Sequence, residues 1–244
     1  WRHLTLITSH PPSSRTTPLL TRRHPTIPST SHLPSVYYLY VLGSGGHTSE
    51  LLETIKHKSP PTRNTHRRYL LNTGDTSSLT RLAKLEALIT DAFPDGRAGT
   101  FDAFRVPRAR RVHQPFWTAP LTCLGTALAV INALTREPDA RLADGGGLFR
   151  FPHVIVTNGP ATGFIVALVA HLLKMFFLAP KDRLRVVYIE SWARTRTLSL
   201  TGKLVLWTGI ADMFCVQHRA LGERYKGWGV VYVGVVAARL APRG

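Results

Sequence analysis

Eight residues, GSGGHTSE from Gly43 to Glu50, hold three glycines in four positions, a histidine and several hydroxyls, directly after the apolar run Tyr37 to Leu42. Glycines let a backbone turn sharply and bring N–H groups against an oxyanion, so Gly43, Ser44, Gly45, Gly46, His47 and Thr48 suit a phosphate or diphosphate. The Gly-Lys-Ser/Thr ending of a P-loop is absent, and Thr48 stands where the dinucleotide fingerprint has its third glycine. The alternative is a tight strand-to-helix turn that holds no ligand. His47 suits donation to a phosphate oxygen or proton transfer, against a purely structural hydrogen bond. Glu50 and Glu53 suit the positive end of a helix, while partly opposing an anion there.

Two later segments repeat the pattern. In HVIVTNGPATG an apolar run passes through Asn158, Gly159 and Pro160 into a long apolar segment. In open α/β sheets such strand ends line the ligand crevice. In VVYIESWARTR an apolar run closes on Glu190 and Ser191, with Arg194 and Arg196 following. A carboxylate there binds a sugar hydroxyl or accepts a proton, and the arginines pair with phosphate. A local Glu-Arg ion pair with a solvated basic face is the plainer alternative.

These residues need strands and helices to carry them. Apolar runs of strand length fall at 36–42, 68–71, 153–157, 186–190, 213–217 and 230–233. Helix-compatible segments fall between them at 48–57, 79–90, 121–134, 162–177 and 198–207. Alternation at this spacing predicts an α/β protein with a mostly parallel, Rossmann-like sheet covered on both faces. Segments 94–111 and 138–152, rich in Gly, Arg and Asp, read as loops or insertions. No repeat of fixed period is present.

Composition sets the outer limits. The 244 residues suffice for one large domain, and 44% apolar content is that of a globular chain. Thirty-one Lys and Arg against 14 Asp and Glu leave a formal charge of +17, which favours anionic partners: nucleic acid, lipid head groups or phosphorylated substrates. Cys123 and Cys215 are too few for a disulfide framework and lack CxxC spacing, so a reducing compartment and no metal site are expected. Residues 1–35, rich in Ser, Thr, Pro, Arg and His, read as a disordered lead-in or a targeting segment, and the chain opens on Trp1, so preceding residues are expected. A nucleic-acid-binding module is opposed by arginines interrupted by proline and apolar residues, with no RRM, KH or zinc pattern. An oxidoreductase would need Asp75 on a cofactor ribose, and the missing third glycine weakens that reading.

Taken together and in order, VLGSGGHTSELL, VPRARRVHQPF, TNGPATG, IESWARTRTLSLTGKLV and DMFCVQHRALGERY resemble the asparagine-linked glycosylation fourteen family. That family is the membrane-associated subunit of the heteromeric UDP-N-acetylglucosamine transferase of dolichol-linked oligosaccharide synthesis. The resemblance runs from about Val36 to Val236. It implies the acceptor-side half of a GT-B glycosyltransferase over residues 36–244. Such a chain recruits a donor-binding catalytic subunit to the cytosolic face of the endoplasmic reticulum, and the pair adds the second N-acetylglucosamine (GlcNAc) to GlcNAc-diphosphodolichol. UDP-GlcNAc is expected on the partner, with no cofactor on this chain. By resemblance Gly43 to Thr48 face the acceptor diphosphate, Asn158 to Pro160 line the same crevice, and Glu190, Ser191 and Arg194 lie near the acceptor–donor junction. Glu190 and His47 are the candidates for proton transfer.

Membrane and partner surfaces complete the expectations. The uncharged run from Phe116 and Trp117 to Leu134 reaches the lower end of spanning length, but its prolines, Asn132 and threonines favour a surface helix. Arg105, Arg108, Arg110 and Arg111 just before it suit anionic head groups, at roughly 1 kcal/mol per basic residue. A core helix behind a solvated loop is the alternative. The family's usual amino-terminal anchor is not visible in the sequence. Near the carboxyl end, Tyr232, Val233, Val235 and Val236 are the expected contacts with the catalytic subunit.

Overall fold

The computed structural model describes residues 35–58, 62–109, 116–138 and 149–234. Seven parallel strands form one sheet in the order β3-β2-β1-β4-β5-β6-β7. They are β1 (Val36–Val41), β2 (Thr65–Asn72), β3 (Thr100–Val106), β4 (Val154–Thr157), β5 (Arg185–Ile189), β6 (Met213–Val216) and β7 (Val230–Tyr232). Between them run α1 (Gly46–Lys58), α2 (Thr76–Ala92), α3 (Ala119–Thr135), α4 (Ala161–Met175), α5 (Leu200–Thr208) and α6 (Arg219–Arg224).

Two-residue periodicity within each strand builds two cores. Leu39 and Val41 of β1 face one layer with Val130 of α3, Val166 of α4 and Leu206 of α5. Tyr40 and the following Leu42 face the other with Leu51 of α1 and Leu82 of α2. The chain moves outward from β1 to β3 on the α1–α2 side, then returns to β4 and continues the other way. That reversal places a topological switch point between β1 and β4, where open sheets of this class bind ligands.

Three segments depart from the sequence expectations. The stretch 94–111, read as loop, contains β3, whose alternating half-exposed pattern hides a strand among polar residues. Strand β2 begins at Thr65 rather than at residue 68, because Arg67 and Arg68 lie inside it and are only 2% exposed. Each is matched: Arg67 donates to both carboxylate oxygens of Glu86 at 2.9 and 2.7 Å, and Arg68 donates to Asp102 at 2.6–3.1 Å. Arg68 also donates to the Ala133 and Arg136 carbonyls, closing the carboxyl end of α3. Buried charges are tolerated only with such pairing. The third departure is α6, which the sequence reading omitted.

Candidate functional site

The loops after β1 and β4 meet at the switch point. A Cβ on Gly43 would lie 2.8 Å from His47 Cβ, so the first loop needs glycine there, and the same Cβ would lie 3.5 Å from Gly159 Cα, which places the two loops in van der Waals contact. Gly45 adopts φ +62°, the left-handed region that glycine enters without strain. Inside the loop, buried Thr48 donates to the Gly43 carbonyl and shares a 2.7 Å hydrogen bond with Ser78. Its hydroxyl therefore braces the loop. Asn158 Nδ2 donates to the His47 carbonyl at 2.9 Å, tying the start of α1 to the end of β4.

A cavity of about 280 Å³ opens beside these loops. Its wall takes Gly43 and Ser44 from the end of β1, Asn72 from β2, Arg108 from beyond β3, and Gly159 to Gly163 from β4 into α4. Helix α4 starts at Ala161 after Pro160, with no side-chain cap; the Gly163 amide donates to the Pro160 carbonyl at 2.8 Å, which leaves the Ala161 and Thr162 amides without a partner among the described residues. Thr162 donates to Asn72 Oδ1 at 3.0 Å across the cavity floor.

Next to the cavity, behind the loops, lies a buried acidic network. Glu50, at the fifth position of α1, accepts from Ser191 Oγ at 3.0 Å, from the Trp192 amide at 2.8 Å and from Gln217 Nε2. Glu190 accepts from the Ser191 amide at 3.1 Å and from the Ser199 amide and hydroxyl at 3.0 and 3.1 Å. Its Oε2 would lie 2.0 Å from a Cβ on Gly202, so glycine there lets the first turn of α5 close over the carboxylate. Burial raises both carboxyl pKa values, outweighing these donors. Burial lowers that of His47, against the pull of Glu190, and favours its neutral imidazole. His47 Nδ1 is buried and has no hydrogen-bond partner.

The structure thus gathers most of the residues singled out from sequence, and sorts them. His47, Asn158 and the glycine loops face the switch point. Glu190 and Ser191 join Glu50 behind it, and no Glu190–Arg194 ion pair forms; the Arg194 side chain is exposed. Arg105 is exposed on β3, whereas Arg108 lines the cavity. Arg110, Arg111, Val235 and Val236 lie outside the described residues. Phe116 opens a short 3₁₀ turn that leads into α3. Trp117, Leu121, Leu124, Leu128 and Ile131 form an exposed helical stripe, with Trp117 84% exposed. Among the described residues no helix is long and apolar enough to cross a membrane. Tyr232 and Val233 stand exposed at the β7 edge. Glu50, Asn72 and Gln217 were missed as site residues because each acquires its partners from distant segments.

Seven parallel strands with two glycine loops at the switch point define a Rossmann-like α/β protein with a cavity at the strand carboxyl ends. The chain belongs to the Alg14 family: the family model described as "Oligosaccharide biosynthesis protein Alg14 like" matches residues 38–236. Among its relatives, a Schizosaccharomyces pombe protein named UDP-N-acetylglucosamine transferase subunit alg14 is 32% identical over 201 residues, covering 82% of this chain and 83% of that protein. The Aspergillus fumigatus protein of the same name is 34% identical over 198 residues, covering 66% and 86%. The human UDP-N-acetylglucosamine transferase subunit ALG14 is 28% identical over 191 residues, covering 78% and 79%.

Proposed function

We propose that the chain is the acceptor-side subunit of a UDP-GlcNAc transferase that adds the second GlcNAc to GlcNAc-diphosphodolichol at the cytosolic face of the endoplasmic reticulum. The relatives' names, each a transferase subunit, support this reading. The observation that carries it is the cavity between the Gly43 and Gly159 loops, whose wall contains a cation and no carboxylate. An acceptor diphosphate suits that wall. The donor UDP-GlcNAc belongs on a separate catalytic subunit, and no cofactor is assigned to this chain.

The reaction requires an acceptor hydroxyl to attack the anomeric carbon of UDP-GlcNAc. A C–O bond forms, the bond to the UDP oxygen breaks, UDP leaves, and the hydroxyl proton passes to a base. A base must come within hydrogen-bond reach of that proton. Glu190 is 1% exposed and accepts three hydrogen bonds from its own surroundings, so it acts as a positioning residue for α5. His47, part-exposed and held neutral, is the proton acceptor on this side of the junction.

The same chain meets the membrane through α3. That helix is 17 residues long, about 25 Å, and shows its apolar stripe to the outside. No acidic residue occurs from Phe116 to Thr135, which fits contact with anionic head groups as well as acyl chains. The catalytic subunit is assigned to Tyr232, Val233 and the following Val235 and Val236.

The test is transfer of radiolabelled GlcNAc to a GlcNAc-diphospholipid by the purified chain with and without its co-purified partner. Transfer only by the pair is the expected result. Full activity of the chain alone, or none from the pair, overturns the reading.

A further inference from the structure

Arg108 has a setting that the run of arginines in the sequence did not distinguish. It is flanked by two carbonyls that α3 holds in place. Thr126 Oγ1 donates to the Pro107 carbonyl at 3.1 Å, while Thr122 Oγ1 and Cys123 Sγ donate to the Ala109 carbonyl at 2.8 and 3.3 Å. Thr126 and Ala109 are completely buried. The peptide on either side of Arg108 is therefore pinned to the inner face of α3, and the side chain is left on the cavity wall.

Its charge has no ion-pair partner among the described residues. Among the residues lining the cavity Arg108 alone is charged. Asp75 is near enough to feel the guanidinium, but its oxygens already accept from Ser77 Oγ at 2.9 Å and from the Ser78 amide and hydroxyl at 3.0 and 2.8 Å. By contrast Arg67 and Arg68, the neighbouring buried arginines, are each matched to a carboxylate. A part-buried arginine that has no carboxylate partner among the described residues, and that lines the same cavity as the start of α4, suits an anion, and its fork geometry suits two oxygens of a phosphate group.

We propose that Arg108 binds the diphosphate of the lipid-linked acceptor in this cavity, held in position by the Thr122–Thr126 face of α3. The proposal rests on the acceptor reading above. It also joins two surfaces: the helix that shows Leu121, Leu124 and Leu128 to the membrane fixes, by its opposite face, the cation that receives the head group.

Binding of farnesyl diphosphate to the full chain in detergent tests the assignment without requiring transfer, with farnesol as the comparison. The wild type is expected to bind farnesyl diphosphate and not farnesol. Arg108→Gln should weaken that binding about ten- to a hundredfold, as for loss of hydrogen bonds to a charged group, and Arg108→Lys less. Arg97→Gln removes the same charge at the opposite end of β3 and should bind as the wild type. In the complex with the catalytic subunit, Arg108→Gln should raise KM for the acceptor and leave KM for UDP-GlcNAc unchanged. Wild-type affinity in a folded Arg108→Gln chain overturns the assignment, as does failure of the wild type to bind. If Arg108→Gln does not fold, Arg108→Lys decides by the same binding measurement. Diphosphate binding that depends on Arg108, in a complex that transfers no GlcNAc, would leave this proposal standing and remove the reaction.

Discussion

Ser191 Oγ donates to Glu50 Oε2 at 3.0 Å across 141 positions of the chain, joining the amino-terminal half of α1 to the loop after β5. The same carboxylate receives the Trp192 amide and the Gln217 side chain, so three segments depend on one acidic residue. Glu50→Ala leaves these buried donors without an acceptor and is expected to destabilise the fold by about 2–4 kcal/mol, with Glu50→Gln losing roughly half as much. Urea unfolding measures both. Burial raises the folded carboxyl above its ordinary pKa of 4.5, so its contribution is present below that value and is lost as pH rises through the folded pKa. Relative to Glu50→Gln, the wild type should therefore gain stability on acidification across that window.

His153 carries the opposite sign. Its Nδ1 accepts the Tyr37 amide at 3.0 Å, and burial together with Arg183 lowers its pKa from 6.5 to about 4. The unfolded chain binds the proton more readily, so the stability this histidine contributes is complete above pH 6.5 and is lost as pH falls towards 4. The loss is on the order of 3 kcal/mol. Thermal unfolding from pH 7 to 4 should show it, and His153→Gln should flatten that part of the profile.

Gly45→Val is expected to abolish GlcNAc transfer while the catalytic subunit remains bound. No internal atom lies within 4 Å of a Cβ at this position, so the obstacles are the φ of +62° and the bulk presented to the ligand. The backbone strain is about 1–2 kcal/mol, small enough for the chain to stay folded. Transfer at the wild-type rate would remove the loop from the site.

Replacing Leu124 and Leu128 by Glu should weaken association with anionic vesicles at least tenfold, because both side chains point outward and two charges oppose insertion. Cosedimentation measures this. An unchanged melting temperature is expected, since neither residue belongs to the core; unchanged vesicle binding would place the membrane contact elsewhere.

Tyr232 and Val233 offer a test of the partner surface. Tyr232 pairs with Val216 in the sheet register, and its side chain is half-exposed. Tyr232→Ala with Val233→Asp should reduce affinity for the catalytic subunit about a hundredfold without unfolding the chain, as read by pull-down and melting temperature.

The order of strands and helices and the two glycine loops were legible in the amino-acid sequence because their causes are local. A two-residue apolar period makes a strand, and Gly43 and Gly45 mark a turn that other residues resist. The loops' shared crevice followed from the rule that strand carboxyl ends meet at a switch point. Tertiary structure alone decided the rest. Strand β3 was hidden because Asp102 and Arg105 read as loop until Arg68, 34 positions earlier, supplies the charge that Asp102 matches. The same dependence on distance separates Glu50 from Glu53, neighbours on α1 of which Glu50 gathers partners from the segments that follow β5 and β6. It also separates Arg108 from Arg105: three residues apart in sequence, they part because α3 pins Pro107 and Ala109 and leaves Arg108 on the cavity wall. Residue type sets what a side chain can do, and only contacts between distant segments determine whether its charge is matched, buried or left for a ligand.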